Sequence, residues 1–344
     1  MIYRNVREDP FQVYGLYHYK EEPVFRRLPQ SVAEQVSEGV RNLHTNTSGG
    51  RVKFKTNSQT IAIQCDMPSI CDMPHMPRCG SGGFDLYVKE GARYWYVRTF
   101  MPDDFDHGYT ASYSFPCQQE RDLLIHFPLY SDVHSLHIGL DDDATLSPGQ
   151  PYRFQVPVVY YGSSITQGGC ASRPGNSYQA MISRRYDCDF LNLGFSGNAK
   201  GEAALAEYIA NLPMSVFVLD YDHNAPDVGH LQNTHEAFYQ TIRRQQPALP
   251  ILLVGRPDFC LDNPEHSQRR DVILTTYRNA LQNGDSNIYF LDGQGLFEGD
   301  ERDACTVDGC HPNDLGFYRM ANVIGSVIGR LLYLSIGPIP RLSS

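Results

Sequence analysis

The chain has 344 residues, of which 41% are hydrophobic and 20% charged, so it can bury a sizeable core and is not a disordered or low-complexity protein. At about 150 residues per domain, this length predicts roughly two domains. The 29 lysines and arginines against 39 aspartates and glutamates give a net charge of −10, which argues against nucleic acid as the main partner.

Residues 1–153 are predicted to form an antiparallel β-sandwich of jelly-roll-like character. Short runs of alternating apolar and polar residues are separated by clusters of glycine, proline and aspartate, which is typical of sandwiches. A helix is predicted near residues 31–43, a hairpin at Glu90-Gly91, and a loop at residues 67–83, which are rich in proline, cysteine, glycine and methionine. The strands are predicted at residues 52–56, 61–65, 84–88, 94–97, 123–127 and 136–140.

Residues 154–335 are predicted to form an α/β domain, and residues 336–344 a short tail. The composition changes to aspartate, serine, proline and glycine around residues 141–151, and five nearly continuous apolar runs then alternate with helical patterns. This alternation indicates a three-layer domain with a parallel sheet that is buried on both faces. The strands are predicted at residues 156–161, 190–193, 216–219, 251–254 and 288–291. One helix, ending at Gly284, is predicted to bury Ile273, Tyr277, Ala280 and Leu281, and the last helix has an apolar stripe from Phe317 to Leu331.

Polar or glycine-rich residues follow the first three strands of this sheet and precede the last helix. Such positions share the edge of an open parallel sheet at which ligands bind. Ser164 can supply a nucleophilic hydroxyl, His311 the base that takes its proton, and Asp308 the carboxylate that orients His311. The backbone N–H groups of Ser164 and Gly197 and the side-chain amide of Asn224 can donate hydrogen bonds to an oxyanion. These are the components of a serine hydrolase.

The same residues resemble the SGNH (GDSL-type) esterase superfamily, which is named for serine, glycine, asparagine and histidine on four separate blocks. Here the four would be Ser164, Gly197, Asn224 and His311, with Asp308 completing the triad. The stretch VVYYGSSITQGGCASRPG, followed by NLGFSGNAKGE, is similar to the GDSL-like subfamily that carries an extra N-terminal domain. The resemblance implies a flavodoxin-like α/β/α domain with a five-stranded parallel sheet, which acts on esters without a metal or other cofactor.

The N-terminal domain of that subfamily has a Gly-x-Asp-Leu-Tyr pattern, which stands here at residues 83–87. The resemblance therefore extends over roughly residues 10–332. The sequence departs from the family pattern at two places. Ser163 occupies the position of the aspartate in the Gly-Asp-Ser motif, and the third block, usually Gly-x-Asn-Asp, is DYDHNA at residues 220–225.

The expected function is the hydrolysis of short acyl esters, with acetyl as the expected group, on a carbohydrate or another small molecule, through an acyl-enzyme. Two alternatives stay open: an acyltransferase that uses the same triad, and a binding protein with a relic site. Each site residue also has a structural interpretation: a helix N-cap for Ser164, a turn glycine for Gly197, a turn or capping residue for Asn224, and a solvated loop pair for Asp308 and His311.

Three more residues are candidates for substrate binding. Arg173 lies in the glycine-rich stretch after Ser164, His223 adjoins Asn224, and Arg256 follows the fourth strand. Structural salt bridges explain the two arginines equally well. In the aromatic run 94–96, one strand face is predicted to be core, and the other to stack on a sugar or to close the domain interface.

The chain has nine cysteines, an odd number, so at least one has no partner within the chain. Cys305 and Cys310 could pair in an oxidising compartment, but free buried thiols are the preferred interpretation. Cys65, Cys71 and Cys79 are six and eight residues apart, whereas zinc ligands are typically separated by two to four residues. No metal site is therefore predicted for Cys65, Cys71, Cys79 and the intervening His75.

No membrane insertion is predicted, because the most apolar stretch, residues 320–338, is interrupted by Asn322, Arg330 and three glycines. The first fifteen residues lack the apolar core of a signal peptide. The expectation is a cytoplasmic protein, or a secreted one if a leader was removed. No oligomeric state is predicted.

Overall fold

The computed structural model of the chain describes residues 1–258, 260 and 262–335, so the tail predicted over residues 336–344 lies outside the described residues. Two antiparallel sheets come first along the chain, and a parallel sheet with helices on both faces follows. This is the predicted fold class, an α/β domain of flavodoxin-like topology preceded by a β-sandwich.

The sandwich is built from ten short strands. They are β1 (Ile2–Asn5), β2 (Gln12–Tyr14), β3 (Arg51–Thr56), β4 (Thr60–Asp66), β5 (Phe84–Glu90), β6 (Arg93–Phe100), β7 (Tyr109–Ser114), β8 (Arg121–His126), β9 (Ser135–Leu140) and β10 (Leu146–Pro148). One sheet has the order β1-β9-β4-β7 and the other β10-β3-β8-β5-β6, with β2 paired to β3. Buried side chains such as Phe54, Ile63 and Leu123 fill the space between the two sheets.

The sandwich region differs from its prediction in detail. The helix expected near residues 31–43 is two short helices, α1 (Gln30–Val36) and α2 (Glu38–Leu43), because Ser37 is extended and caps α2 with its side chain. The expected loop at 67–83 contains one helical turn, α3 (Arg78–Ser81). Strands β1, β2, β7 and β10 were not predicted. They are short or lie at sheet edges, and β7 exposes alternate residues, so their hydrophobic pattern is weak.

The parallel sheet positions the polar loops of the second half. Its strands are β11 (Phe154–Gly162), β12 (Cys188–Gly194), β13 (Val216–Asp220), β14 (Ile251–Val254) and β15 (Ile288–Leu291). Their order, β12-β11-β13-β14-β15, is the flavodoxin-like order 2-1-3-4-5. Gly162 at the end of β11 stands opposite both Gly194 and Asp220, so three strands end at the same level. The loops that follow these strands must therefore meet.

Helices cover both faces of this sheet. They are α4 (Ser164–Gln167), α5 (Tyr178–Tyr186), α6 (Ala203–Ala210), α7 (Val228–Gln245), α8 (Pro264–Gln282) and α9 (Asp314–Ser335). Helices α5 and α9 pack in one core with Val158 and Tyr160 of β11. Helices α6, α7 and α8 pack in a second core with Val159 and Tyr161, and the N-terminal helices α1 and α2 join this second core through Ala33 and Val40.

The two longest helices test the predicted stripes. Helix α8 ends just before Gly284, as predicted, and it buries Ile273 and Ala280. Leu281 was placed on the buried face wrongly: it is 45% exposed, because the position after Ala280 is rotated away from the sheet. Helix α9 buries its apolar stripe from Phe317 to Leu331, except for Val327, which is half-buried. In the part of the chain that the structure describes, no helix combines the length and the apolar character needed to cross a bilayer.

The open edge of the parallel sheet at β12 is covered by residues from the first half of the chain. Arg51, fully buried, contacts the Asp189 carboxylate and the Phe190 carbonyl oxygen, and its guanidinium stacks on the Phe190 ring at 3.9 Å. Arg27, also buried, donates to the carbonyl oxygens of Asn192 (3.1 Å) and Gly194 (2.5 Å). The backbone polar groups that an edge strand would expose are therefore partly satisfied by the sandwich side of the molecule.

All nine cysteines are free thiols. Cys305 is buried and Cys310 half-buried, and they do not pair. The preferred interpretation, free buried thiols, fits four of them, Cys65, Cys170, Cys188 and Cys305; it is wrong in burial for the others, of which Cys117 and Cys260 are exposed.

Candidate active site

A continuous hydrogen-bonded relay joins three side chains at the carboxyl end of the parallel sheet. Ser164 Oγ lies 2.9 Å from His311 Nε2, and His311 Nδ1 lies 2.7 Å from Asp308 Oδ2. Ser164 follows β11, whereas Asp308 and His311 precede α9. The sequence brings these residues together over a separation of 147 positions between the serine and the histidine.

Ser164 stands on a tight turn from strand to helix. Gly162 must be glycine, because a Cβ there would lie 2.1 Å from the carbonyl oxygen of Asp220. The residue that caps α4 is Ser163, whose Oγ accepts a hydrogen bond from Ile165 N at 3.2 Å. The N-cap is therefore Ser163 and not Ser164, and the hydroxyl of Ser164 is hydrogen-bonded to His311 instead. Ser164 is only 8% exposed.

The Asp308–His311 loop holds the imidazole through several bonds. Asp308 Oδ1 accepts from the backbone N–H groups of Cys310 (3.0 Å) and His311 (2.7 Å), while Oδ2 faces the His311 ring. Partial burial alone would raise the pKa of Asp308, but the hydrogen bonds from His311 and the backbone outweigh it and lower the pKa to about 2. The carboxylate is therefore ionised at neutral pH and can stabilise a positively charged imidazole.

The turn after β12 carries Gly197. Asn198 N donates to Phe195 O at 2.8 Å and closes the turn. Gly197 has a φ of +69°, a left-handed conformation that residues other than glycine rarely adopt. The sequence argument gave close approach of the backbone as the reason for glycine here. The structure gives a different reason, because a Cβ at residue 197 would meet no atom within 4 Å. The space at the Cβ position of residue 197 is therefore open. Ser196 N donates to Gln167 Oε1 at 2.9 Å and ties this turn to α4.

Asn224 ends a short 3-10 turn, Asp222–Asn224, after β13. Its Nδ2 donates to Phe195 O at 2.9 Å, so the third polar loop is bonded to the turn that carries Gly197. An asparagine amide has two N–H groups, and this contact uses one. The blocks after β11, β12 and β13 are therefore linked to one another.

Arg173 lies at the contact between the two halves of the chain. Its Nη1 donates to Asp85 Oδ2 at 3.0 Å and to the Tyr87 hydroxyl, and its guanidinium lies 4.0 Å above the ring of Tyr96. Asp85 and Tyr87 are the Asp and Tyr of the Gly-x-Asp-Leu-Tyr pattern. Asp85 is fully buried and also accepts from Gly175 N at 2.7 Å. The motif thus joins the sandwich to the loop after Ser164, and substrate binding by Arg173 stays a prediction.

The aromatic run on β6 has no core face. Trp95 is 51% and Tyr96 48% exposed, so the prediction of one buried face is wrong. Strand β6 is the edge strand of its sheet, and none of its residues before Thr99 is fully buried. Tyr94 and Tyr96 instead reach the second half of the chain: the Tyr94 hydroxyl donates to Asp187 Oδ1 at 2.8 Å, and Tyr96 lies under Arg173. They contribute to the interface between the two halves.

His223 and Arg256 meet at Asp258, beside the relay. Arg256 donates to both carboxylate oxygens of Asp258, at 2.8 and 2.9 Å, and His223 Nε2 lies 3.2 Å from Asp258 Oδ1. Burial alone would lower the pKa of His223, but pairing with Asp258 and Cys310 raises it to about 10. His223 Nδ1 is 3.7 Å from Cys310 Sγ, next to His311 in the chain. This charged cluster borders the loop that carries Asp308 and His311, and its contact with substrate stays a prediction.

Several residues near the relay were not found from the sequence. The Tyr130 hydroxyl donates to the backbone oxygen of Ser164 at 3.2 Å. His75 and Cys170 lie close to His311, and these three form one group of side chains that could hold a metal ion, while His223, Asp258 and Cys310 form another. No spacing in the sequence marks either group, since its members lie far apart along the chain.

Comparison with known proteins agrees with this fold. The sequence matches the family model of GDSL-like lipases/acylhydrolases over residues 155–329 and the GxDLY model, the N-terminus of SGNH-hydrolase-type esterases, over residues 1–146. A search of curated proteins gave no match.

Three solved structures illustrate the similarity. A protein of Bacteroides ovatus assigned as a GDSL-like lipase is 29% identical, with a TM-score of 0.87 over 96% of this chain and 98% of the other. The salicylyl-acyltransferase SsfX3 of a tetracycline biosynthetic pathway is 20% identical, with a TM-score of 0.77 over 98% and 99%. A family two carbohydrate esterase of Clostridium thermocellum, solved with cellohexaose, is 13% identical, with a TM-score of 0.65 over 94% and 99%.

The family match, the strand order and the Gly-x-Asp-Leu-Tyr motif at the contact between the two halves lead to one assignment. The chain belongs to the GDSL-like lipase/acylhydrolase family.

Proposed function

We propose that this protein is a serine esterase that removes short acyl groups, acetyl above all, from polar alcohols such as carbohydrates. The observation that carries the proposal is the unbroken relay from Ser164 Oγ through His311 to the ionised carboxylate of Asp308. A relay of this kind is the arrangement that activates a serine hydroxyl at neutral pH.

The reaction would proceed in two halves. Ser164 Oγ attacks the ester carbonyl carbon while its proton moves to His311 Nε2, and the carbonyl oxygen becomes an oxyanion. The carbon–oxygen bond to the alcohol then breaks, and His311 returns the proton to the departing oxygen, which leaves Ser164 acylated. Water, deprotonated by His311, attacks the acyl-enzyme, and the same steps in reverse release the acid and restore the serine hydroxyl.

The oxyanion would be held by the backbone N–H groups of Ser164 and Gly197 and by the second amide hydrogen of Asn224. Two features support this assignment. The space at the Cβ position of residue 197 is open, so this side of the turn is accessible, and the Asn224 amide is held in place by its bond to Phe195 O. Each such donor typically lowers the barrier by about 3 kcal/mol.

A charged cavity next to the Asp308–His311 loop supports a polar alcohol. Its volume is about 650 Å³, and Asp308, Asp258, Arg302 and Asp303 line it in part, whereas Ser164 and His311 do not. Charged groups of this kind suit a substrate with many hydroxyl groups. The fold is shared with carbohydrate esterases, including an acetyl xylan esterase, and this supports an acetylated sugar as the substrate class. The fold is also shared with an acyltransferase, so the test below includes both water and an alcohol as the acyl acceptor.

The first test is Ser164→Ala assayed with p-nitrophenyl acetate. We expect kcat to fall by about 10⁴-fold or more, because the nucleophile is absent. The matched control is Ser163→Ala, which removes the hydroxyl of the neighbouring serine and costs about 1 kcal/mol of stability as a lost helix cap. Unchanged turnover in the Ser164 variant contradicts the proposal. A fluorophosphonate probe should label the native chain and not this variant, and a relic site would leave both unlabelled.

The second test is a panel of acetylated sugars against short and long acyl esters. We expect the highest kcat/KM for acetylated sugars. Product analysis with added alcohols then separates a hydrolase, which releases acetate at the same rate in their presence, from an acyltransferase, which releases little acid until an acceptor alcohol is added.

A further inference from the structure

Three metal-ligating side chains converge beside the relay. One ring nitrogen of His75, Sγ of Cys170 and one ring nitrogen of His311 all lie within 4.8 Å of one another. The imidazole rings of His75 and His311 have their centroids 5.4 Å apart. His75 comes from the loop between β4 and β5 in the sandwich, whereas Cys170 follows α4 and His311 precedes α9. The group therefore exists only because the two halves of the chain are docked.

Each of the two added residues is held in place. His75 is exposed at the tip of a turn in which Met76 N donates to Met73 O at 3.1 Å. Met76 itself is 5% exposed and packs in the same core as Cys170 and Ala171, so the turn is anchored against the second half of the chain. Cys170 is buried and has φ +74°, a left-handed conformation that is rare for a residue other than glycine. Such strain persists where the surroundings fix it, and it clusters at functional positions.

The orientation of His311 decides which of its atoms faces a metal. Nδ1 is bound to Asp308 Oδ2 at 2.7 Å, so Nε2 is the nitrogen left for coordination. A histidine whose other nitrogen is bound to a carboxylate is the common arrangement at zinc sites, where the carboxylate fixes the ring and strengthens the ligand. Two imidazoles and a thiolate are a donor set that selects Zn²⁺ and similar borderline-soft divalent ions over Mg²⁺ or Ca²⁺.

We propose that His75, Cys170 and His311 form an inhibitory site for Zn²⁺, in which the metal captures the general base. Hydrated Zn²⁺ loses water ligands as two Zn–N bonds and one Zn–S bond form, the hydrogen bond between Ser164 Oγ and His311 Nε2 breaks, and the Cys170 thiol releases its proton to solvent. The lone pair of His311 Nε2 then bonds to the metal and can no longer accept the proton of Ser164. Three protein ligands leave the fourth position to water, which suits an exchangeable metal. The site itself is independent of the proposed function, whereas the inhibition rests on it.

Metal binding is tested first, without any assay of activity. The purified full chain is titrated with Co²⁺, and absorption from thiolate-to-cobalt charge transfer and from tetrahedral Co²⁺ is recorded; Zn²⁺ affinity is measured by calorimetry. We expect the charge-transfer band in the native chain and its loss in Cys170→Ser. We expect His75→Ala, a change at an exposed side chain, to weaken Zn²⁺ binding by at least about 10-fold. Even the loss of a residue that only hydrogen-bonds to a metal ligand typically lowers metal affinity by about 10–100-fold.

The control variant is Cys310→Ser, which removes the thiol of the other potential group, His223, Asp258 and Cys310. We expect it to bind both metals like the native chain. Loss of the cobalt signal in Cys310→Ser with full retention in Cys170→Ser would overturn the site, as would unchanged Zn²⁺ affinity in His75→Ala.

Inhibition is tested second, on p-nitrophenyl acetate. We expect Zn²⁺ to abolish turnover, EDTA to restore it, and Mg²⁺ to have no effect. His75→Ala and Cys170→Ser should keep their activity without metal and should need at least about 10-fold more Zn²⁺ for half-inhibition. Native-like inhibition of both variants, or tight binding without inhibition, would overturn the inhibitory role. If the native chain hydrolyses no ester, the proposed function fails, and the cobalt and calorimetry results still decide the site.

Discussion

The guanidinium of Arg173 donates a 3.0 Å hydrogen bond to the carboxylate of Asp85, and this pair joins the two halves of the chain. Asp85 is fully buried, and it also accepts from Thr99 Oγ1 at 2.6 Å and from Gly175 N. Gly175 can approach this closely because it has no side chain: a Cβ there would lie 2.3 Å from the Tyr87 hydroxyl. The Gly-x-Asp-Leu-Tyr pattern is thus explained by docking onto the loop that follows the candidate nucleophile.

Replacing Arg173 by alanine is expected to destabilise the fold. The change leaves the buried Asp85 carboxylate without its cationic partner, and we expect a loss of about 2–4 kcal/mol in the free energy of unfolding, measured by urea denaturation. Adding Asp85→Asn should recover part of the loss, because it removes the unpaired charge. Arg93→Ala, at an exposed arginine on β6, should change stability by less than about 0.5 kcal/mol. A tenfold rise in KM without any loss of stability would instead favour substrate contact by Arg173.

Asp308→Asn is expected to reduce kcat by about 10⁴-fold, since an amide presents its N–H to His311 and favours the wrong tautomer. Asp308 is 37% exposed, so circular dichroism and thermal unfolding should change little. The pKa of about 2 means that Asp308 loses its charge only as the pH falls towards 2. A fall in activity between about pH 7 and 5 therefore does not arise from this carboxylate. A variant that keeps more than a tenth of the native kcat would show that the relay does not need Asp308.

Gly197→Ala tests whether Gly197 is needed for catalysis or only for the stability of its turn. Because residue 197 has φ +69° and open space around its Cβ position, we expect a cost of about 1 kcal/mol in stability from the left-handed conformation. The change adds a methyl group next to the N–H proposed to hold the oxyanion and strains its orientation, so kcat/KM should fall by at least about 10-fold.

The matched control for this change is Gly284→Ala, at the end of α8. Gly284 has φ +84°, and a Cβ there also meets no atom within 4 Å. We expect the same loss of stability with native kinetics. Equal kinetics in the two variants would remove Gly197 from the oxyanion site.

Asp220 is expected to make stability depend on pH. It is 3% exposed at the end of β13, and burial raises its pKa to about 7, although His223, Thr166 and Tyr178 act in the opposite direction. Between about pH 4 and 7 the folded protein keeps a proton that the unfolded chain has lost, so the free energy of unfolding falls as the pH rises through this window, by no more than about 4 kcal/mol.

Asp220→Asn removes this titration and tests its sign. The variant should gain stability relative to the native chain by about 2–3 kcal/mol between pH 5 and 7.5, in urea unfolding at both pH values. Asp143→Asn, which removes one negative charge from an exposed position, controls for net charge and should show no such gain. A difference between Asp220→Asn and the native chain that is the same at both pH values would contradict the raised pKa.

Sequence patterns predicted the parallel sheet better than the sandwich, for a physical reason. Strands β14 and β15 have the predicted bounds, because each is a continuous apolar run between polar residues; β14 is buried at every residue, and β15 at the sheet edge is mostly half-buried. In β7 the pattern is YTASYS, in which no residue is fully buried, and such an edge strand is hard to distinguish from a loop. The break of the first helix at Ser37 depends on a local cap and was likewise not visible in the apolar spacing.

The candidate site shows the same division. The order of Ser164, Asp308 and His311 along the chain predicted a relay, since each follows or precedes a strand or helix that ends at one sheet edge. His75 reaches His311 from the sandwich, 236 positions earlier, and only the docking of the two halves brings it there. The contacts of Arg173 with Asp85 also cross this interface. Groups that meet through docking leave no periodic signal in a single sequence.

The two buried arginines at β12 have a consequence for shortening the chain. Arg27 and Arg51 come from the first 51 residues, yet they satisfy carbonyl oxygens of the outermost strand of the parallel sheet. In a fragment that begins at β11, the backbone N–H and C=O groups of β12 would be unpaired at the sheet edge. We expect such a fragment to associate with other copies of itself through this strand. The N-terminal half therefore completes the edge of the parallel sheet, and it is not an accessory domain that can be removed.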